Sequence, residues 1–85
     1  MNTIHWRPKA FKQVRKLPAL AAKAVVAAVK AELVDLAQAR NVKKLTGHDY
    51  GYRLRVGNYR VMFEFDGEVR IVTVEEVRKR DEQTY

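Results

Sequence analysis

Residues 52–63 give the clearest structural signal in the chain: Tyr52-Arg53-Leu54-Arg55-Val56-Gly57-Asn58-Tyr59-Arg60-Val61-Met62-Phe63. Polar and apolar residues alternate on both sides of the Gly57-Asn58 pair, which is typical of two antiparallel strands joined by a two-residue turn. A two-residue turn places Val56 opposite Tyr59 and Arg55 opposite Arg60. The sequence therefore predicts a β-hairpin whose register is fixed by its turn.

This register gathers three arginines on one face of the hairpin. Side-chain direction repeats every second residue along a strand, so Arg53 shares a face with Arg55 and Arg60. The other face is apolar and carries Tyr52, Leu54, Val61 and Phe63. Like charges placed opposite each other destabilise a hairpin, so folding alone does not account for the arginines. Guanidinium groups match phosphate oxygens in geometry and charge, and we predict that this face binds a phosphate.

Length and composition narrow the class of protein. The chain has 85 residues and a net charge of +7, from which we expect one domain, residues 1–85, that binds a polyanion or an acidic protein. It has no cysteine, which excludes disulfides, thiolate nucleophiles and cysteine zinc sites. Absence of cysteine suits a reducing cytoplasm. No signal-peptide or membrane-spanning pattern is present, so we expect a cytoplasmic protein without membrane contact.

Two helices are predicted ahead of the hairpin. A short strand at Thr3 to Arg7 precedes a first helix, Lys9 to Lys16, on which apolar residues share one face: Phe11, Val14 and Leu17. The second helix is predicted from Pro18 to Gln38. Its core-facing stripe consists of Ala22, Val25, Val26, Val29, Leu33 and Leu36. Its many alanines also make it a candidate docking face for a partner helix.

A third strand is predicted after the hairpin, beyond a turn at Asp66-Gly67. A three-residue loop, Asp66 to Glu68, keeps one face apolar. It pairs Phe65 with Val69, Glu64 with Arg70 and Phe63 with Ile71. We also expect a helical turn over residues 80–84. The order β-α-α-β-β-β predicts an α+β fold, with an antiparallel sheet and both N-terminal helices packed on one face.

Several kinds of chemistry are set aside because their motifs are missing. The chain has no Ser-His-Asp spacing, HExxH, P-loop or GxGxxG motif, and its acidic residues are not grouped as metal ligands are. We therefore expect no cofactor and no metal. His48, just before the basic strand, is a secondary acid-base candidate. RNA carries its own nucleophile, the 2′-hydroxyl, so the residues leave open both a nucleic-acid-binding face and a metal-independent ribonuclease.

Four motifs, in order, resemble those of the RelE/ParE superfamily of bacterial toxins. They are Lys43-Lys44-Leu45-Thr46-Gly47, Tyr52-Arg53-Leu54-Arg55, Tyr59-Arg60-Val61, and Lys79-Arg80-Asp81 followed by Tyr85. The resemblance implies the toxin of a type II toxin-antitoxin module. RelE-like members are ribosome-dependent endoribonucleases that cut mRNA, whereas ParE-like members inhibit DNA gyrase and generally lack the basic active-site set. This chain retains that set, which favours the RelE-like branch.

The resemblance also implies roles for particular residues. Arg53 and Arg55 stand at two positions where RelE-like toxins carry catalytic basic residues. Arg60 matches the arginine that stabilises the scissile phosphate. Arg80 matches the C-terminal arginine that acts on the transition state or leaving group, and Tyr85 matches the tyrosine that stacks on or orients the nucleotide.

The chain departs from the family pattern at the residue that accepts a proton. Arg53 and Arg55 stand where lysines occur in the best-known members, and arginine does not deprotonate in proteins. The general base is therefore open between Tyr85, His48 and a preorganised 2′-hydroxyl with electrostatic help.

Further basic residues are interpreted as RNA contacts or as a solvated surface: Lys43, Lys44, His48, Arg78 and Lys79. The implied partners are a cognate acidic antitoxin, mRNA and the rRNA of the ribosome, with operator DNA bound indirectly through the antitoxin. Two alternatives stay open. One is a ParE-like gyrase inhibitor, and the other is a catalytically inactive co-repressor that only binds its antitoxin.

Overall fold

The chain folds into two helices packed on one face of a five-stranded sheet, in a computed structural model that describes residues 1–79. The elements in chain order are β1 (Thr3–Trp6), α1 (Pro8–Arg15), α2 (Ala19–Glu32), β2 (Val42–Lys44), β3 (Tyr52–Val56), β4 (Tyr59–Asp66) and β5 (Ile71–Lys79). This confirms the α+β fold with both helices on one face. Arg80, Tyr85 and the helical turn predicted over residues 80–84 lie outside the described residues.

The strand order is β1-β5-β4-β3-β2, and the sheet is mixed instead of antiparallel. β1 pairs in parallel with β5, from Thr3 with Ile71 to Trp6 with Val74. Both helices and three strands separate β1 from β5 in sequence, and such a long connection permits a parallel pair. β2 lies between the second helix and the hairpin, where no strand was predicted, and it extends the sheet beyond β3.

The hairpin of residues 52–63 has the predicted register. Val56 pairs with Tyr59 and Arg55 pairs with Arg60. Gly57 begins the turn at a φ of 56°, in the left-handed region that favours glycine. Leu54 and its cross-strand partner Val61 are buried in the core. The apolar face of the hairpin therefore packs on the helices, and its arginine-bearing face points away from them.

The predicted register of the second turn is wrong by three residues. The observed pairs are Phe65 with Val72, Glu64 with Thr73 and Phe63 with Val74. Asp66 accepts a hydrogen bond from the Glu68 backbone nitrogen at 3.0 Å, and Arg70 has a φ of 56°, so the turn continues to residue 70. Val69, predicted to begin the strand, lies 60% exposed in the turn. Glu64 and Arg70 are therefore not the cross-strand pair that was predicted.

A β-bulge in β5 decides which acidic side chain faces which side of the sheet. Phe63 pairs with Val74 but Met62 pairs with Glu76, so Glu75 is the extra residue. The bulge places Val77 in the core, where it is 6% exposed. It places Glu76 on the opposite face, beside the hairpin arginines.

The first helix begins one residue before the predicted start, with Pro8 in its first turn. Its buried residues are Ala10 and Val14, one helical turn apart. Phe11 was predicted on this apolar face but is 53% exposed, and the Arg15 guanidinium lies 5.7 Å from its ring centre. The buried face of the first helix is therefore the one that carries Ala10 and Val14, and Phe11 lies outside it.

The second helix ends at Glu32, six residues before the predicted end at Gln38. The carboxylate of Asp35 accepts a hydrogen bond from the Ala37 backbone nitrogen at 3.1 Å. Such a local bond offers the backbone an alternative to the helix. The predicted stripe is otherwise confirmed, because Val25 and Val29 are buried and the other members pack on the core. Neither helix within residues 1–79 is long and apolar enough to cross a membrane.

Candidate functional site

The sheet face turned away from the helices carries a row of arginines on three adjacent strands. Arg55 of β3 pairs with Arg60 of β4, and Arg60 pairs with Arg78 of β5. Directly opposed residues have Cβ atoms about 4.5–5.5 Å apart. Arg53 lies two residues along β3 on the same face, with Lys43 of β2 opposite it. We call this surface, formed by these five residues, the arginine face.

Two of the other basic candidates, Lys44 and Lys79, lie off the arginine face. Lys44 pairs with Tyr52 and Lys79 pairs with Tyr59, and both tyrosines pack against the core. Side chains alternate along a strand, so Lys44 and Lys79 are directed to the helix side of the sheet. His48 is exposed in the connection between β2 and β3. The structure thus unites Arg53, Arg55 and Arg60 with two of the predicted RNA contacts, Lys43 and Arg78.

Glu76 is a nearly buried carboxylate beside the arginine face, with 11% of its side chain exposed. It receives a pair of hydrogen bonds from Arg78, from Nε at 2.5 Å and from Nη2 at 3.3 Å. The Tyr50 hydroxyl donates to Oε1 at 2.8 Å, and the Lys9 ammonium donates to the same oxygen at 3.3 Å. One carboxylate therefore joins α1, β5 and the segment before β3.

These partners hold the pKa of Glu76 down to about 2. The hydrogen bond from Arg78 is the largest cause, and those from Tyr50 and Lys9 act in the same direction. Burial opposes them, because it disfavours a charged carboxylate. The hydrogen bond to Glu76 in turn raises the pKa of Tyr50. At neutral pH the cluster therefore contains an ionised carboxylate and a protonated phenol.

The segment between β2 and β3 is fixed to the sheet at more than one point. The Gly51 nitrogen donates to Glu64 Oε2 at 3.0 Å, and the Leu45 nitrogen donates to the Gly51 oxygen at 2.8 Å. A Cβ added at Gly51 would lie 2.6 Å from Glu64 Oε1, so glycine permits this close approach. The Arg78 guanidinium carbon lies 5.9 Å from the centre of the Tyr50 ring. Tyr50 is thereby held next to the arginine row.

Tyr50, Glu76 and this role of Lys9 were not predicted from the sequence. Two adjacent acidic residues, Glu75 and Glu76, interrupt the apolar β5 sequence, which was a usable signal. The bulge decides which of them turns towards the arginines, and nothing in the sequence pattern locates it. Lys9 is 67 residues away from Glu76, so their contact follows only from the tertiary structure.

The arrangement can bind an anion and stabilise negative charge. Four arginines and a lysine converge on one side of the sheet, while Glu76 offsets part of that charge at Arg78. Guanidinium groups fixed in a folded sheet can stabilise charge that develops on a phosphate, without reorganising as the reaction proceeds. Within residues 1–79 no group of three or more histidine, aspartate and glutamate side chains could hold a metal ion.

Solved structures of bacterial and archaeal toxins share this fold. The toxin chain in the RelBE2 toxin-antitoxin complex from Mycobacterium tuberculosis is 25% identical, with a TM-score of 0.74, over 93% of this chain and 98% of that one. The isolated E. coli RelE toxin has a TM-score of 0.77 at 21% identity, over 98% and 88%. The archaeal RelE–RelB complex from Pyrococcus horikoshii has a TM-score of 0.72 at 20% identity, over 96% and 98%.

The comparison of sequences gives the family. A search of curated proteins found no match. The family model of the ParE toxin of the type II toxin-antitoxin system parDE matches residues 4–84, which is nearly the whole chain. The resemblance to the RelE/ParE superfamily is thereby confirmed, and the chain belongs to the ParE toxin family of type II toxin-antitoxin systems.

Proposed function

We propose that this toxin is a ribosome-dependent endoribonuclease that stops translation by cutting mRNA. The observation that supports this most strongly is the row formed by Arg55, Arg60 and Arg78. Three like charges on directly paired positions oppose folding. A bound phosphodiester would relieve that repulsion and would be held by guanidinium groups from three strands.

The proposed reaction uses the nucleophile of the substrate. The 2′-oxygen of the ribose attacks the adjacent phosphorus and forms a new P–O bond, while the bond from phosphorus to the 5′-oxygen breaks. The products are a 2′,3′-cyclic phosphate and a 5′-hydroxyl. Arg55 and Arg60 stabilise the charge that builds up on the phosphate oxygens, and Arg78 adds a third guanidinium at the same row. The proton of the 2′-hydroxyl passes to a base as the oxygen attacks, and an acid delivers a proton to the 5′-oxygen.

The groups near the arginine row are poorly suited to strong acid-base catalysis. Glu76 is ionised, but its pKa of about 2 makes it a weak base near neutral pH. The raised pKa of Tyr50 keeps its phenol protonated. We therefore propose that electrostatic stabilisation supplies most of the rate enhancement. His48 and Tyr85 stay predictions for the proton-transfer roles.

A second candidate function is inhibition of DNA gyrase. It is favoured by the family model, which describes a ParE toxin, and by the pairing of Arg78 with Glu76, which offsets one charge of the row. In that case the arginine face would bind gyrase. Substitutions in this face would then change the affinity for gyrase and would have no effect on RNA cleavage.

We also propose that an acidic antitoxin binds this chain, because several of the matching structures are toxin-antitoxin complexes. The outer side of α2 has a shallow groove of about 390 Å³ lined by Ala22, Lys23, Val26, Ala27 and Lys30. Leu20, 82% exposed, extends the apolar surface. Two lysines beside an apolar groove suit an amphipathic acidic segment. Operator DNA would then be bound through the antitoxin, and the toxin would act in the cytoplasm, where its ribosomal target lies.

Two assays run in parallel test the choice of target: protein synthesis in a purified translation system, and DNA supercoiling by purified gyrase. We expect the toxin to stop protein synthesis and to leave supercoiling unchanged. Arg60→Gln should reduce the effect on translation by about 10²-fold, since it removes one charge-stabilising group. Arg70→Asn is the matched control, because it removes a positive charge from the exposed turn at the other end of β4 and β5. Inhibition of gyrase with translation intact would refute the proposal.

A further inference from the structure

The proposed reaction uses Arg78 but gives no role to Tyr50 and Glu76, which form a built cluster with it. Glu76 is nearly buried, yet it is charged and accepts hydrogen bonds from three different side chains. Burying a charge costs free energy unless partners compensate for it. A sheet position filled by an apolar residue would avoid that cost. The arrangement therefore calls for a reason other than packing.

Arg78 keeps binding capacity while it is paired. A guanidinium has five N–H donors, and Glu76 engages two of them. The Arg78 side chain is 41% exposed, and the residue lies directly opposite Arg60 in the ladder. Glu76 therefore fixes the orientation of the guanidinium plane and leaves its other donors available to a second anion.

Contacts with Glu76 and Arg78 also fix the position of Tyr50. Its hydroxyl is bound by Glu76 at 2.8 Å, its ring lies 5.9 Å from the Arg78 guanidinium, and the next residue, Gly51, is bound to Glu64. A loop tyrosine would normally lose conformational entropy when it packs on a ligand. Here that ordering is already complete in the free protein, so the ring and the guanidinium that lies over it are both preorganised.

We propose that Tyr50 and Arg78 form a subsite for one nucleotide of the RNA substrate, and that Glu76 is the positioning residue that holds both. The inference rests on the proposed function and deepens it. Unpaired RNA bases stack on aromatic rings and on guanidinium planes. Tyr50 and Arg78 offer such a surface, and the remaining N–H groups of Arg78 reach a phosphate oxygen. Because Arg78 adjoins Arg60, the subsite holds a nucleotide next to the phosphate that is cut.

The test is a binding titration of the purified full-length toxin with a fluorescently labelled single-stranded RNA hexamer. Every 2′-hydroxyl of the hexamer is methylated, so the probe lacks the nucleophile and cannot be cut. Tyr50→Leu should weaken binding about tenfold, in the range of one base–aromatic stack. The loss should be the same at low and high salt, since stacking releases no counterions. Affinity equal to that of the wild type would overturn the subsite.

The positioning role of Glu76 is tested by whether Glu76→Gln weakens or strengthens the binding of the RNA hexamer. Glu76→Gln removes a negative charge, so a carboxylate that merely repelled RNA would give tighter binding in this variant. The proposal predicts weaker binding, by about threefold, when the salt concentration is high enough to screen surface charge. Glu75→Gln, on the neighbouring residue outside the cluster, is the control and should bind as the wild type does. Tighter binding by Glu76→Gln at high salt would overturn the positioning role.

Tyr50→Phe keeps the test valid if Tyr50→Leu does not fold. It preserves the ring and removes only the hydroxyl that Glu76 holds, so binding weaker than wild type supports positioning and equal binding contradicts it.

Cleavage of ribosome-bound mRNA separates the subsite from the proposed function. A wild-type toxin that binds RNA through Tyr50 but does not cut refutes the proposed function alone. A toxin that cuts with the same KM in Tyr50→Leu refutes the subsite alone.

Discussion

Replacing Glu76 with glutamine should destabilise the protein by about 2 kcal/mol at pH 7. The pKa of Glu76 falls from 4.5 to about 2 in the folded state, which corresponds to about 3.5 kcal/mol in favour of the ionised form at about 1.4 kcal/mol per pH unit. Glutamine keeps the shape of the side chain and can still accept a hydrogen bond from Tyr50, so part of that free energy is retained. Glu76 is nearly buried, but the side chains of Arg78 and Lys9 are 41% and 62% exposed, so solvent screens part of the interaction and the expected loss is smaller than the full shift.

The lowered pKa of Glu76 also predicts how the difference in stability between the wild type and Glu76→Gln depends on pH. A carboxylate whose pKa is lower in the folded state stabilises the fold above its unfolded pKa, near 4.5, and this contribution disappears as the pH falls through its folded pKa of about 2. The wild type should therefore lose its advantage over Glu76→Gln between about pH 5 and pH 2.

Urea unfolding followed by the fluorescence of Trp6 measures both effects. Glu75→Gln is the matched control, because Glu75 lies 3.7 Å from an Arg7 side chain that is 63% exposed. Such an exposed pair contributes about 0–1 kcal/mol, so this variant should be almost as stable as the wild type. The reasoning is refuted if Glu76→Gln is as stable as the wild type at pH 7, or if the difference persists unchanged at pH 2.

Four further variants test the observed fold. Arg55→Thr should raise the free energy of unfolding by about 0.5 kcal/mol and lower toxicity, because Arg55 opposes Arg60; a urea midpoint below that of the wild type would contradict this. Phe63→Ala should cost about 3–5 kcal/mol in the same assay, since Phe63 is fully buried, whereas Phe11→Ala on the surface should cost less than about 1 kcal/mol. Gly57→Ala should cost about 1 kcal/mol, because its φ of 56° disfavours any side chain; an unchanged midpoint would count against this turn.

The hairpin could be predicted because its register depends on local chemistry alone. Gly57 and Asn58 fix a two-residue turn, and the alternation on either side leaves one way to keep an apolar face buried. The arginine row at Arg55 and Arg60 follows directly from that turn. The predicted phosphate-binding role of this face rests on the same two features.

The rest of the site could not be predicted because it depends on irregular backbone. The second turn passes through Arg70 in a left-handed conformation, and the bulge at Glu75 shifts the sides of all later residues in β5. An unbulged strand would have directed Glu76 into the core. Its partners Lys9 and Tyr50 come from segments distant in sequence, so their convergence became visible only in three dimensions.

Primer extension on a defined mRNA, with and without ribosomes and at equal toxin concentration, shows whether the toxin cuts RNA and whether cutting needs the ribosome. We expect cuts only when ribosomes are present, fragments that end in a 2′,3′-cyclic phosphate, loss of cutting in Arg60→Gln and retention of cutting in Arg70→Asn. Folded wild-type toxin that makes no cuts in either condition, or an Arg60→Gln variant that cuts as well as the wild type, would contradict the assignment of the arginine face to RNA cleavage.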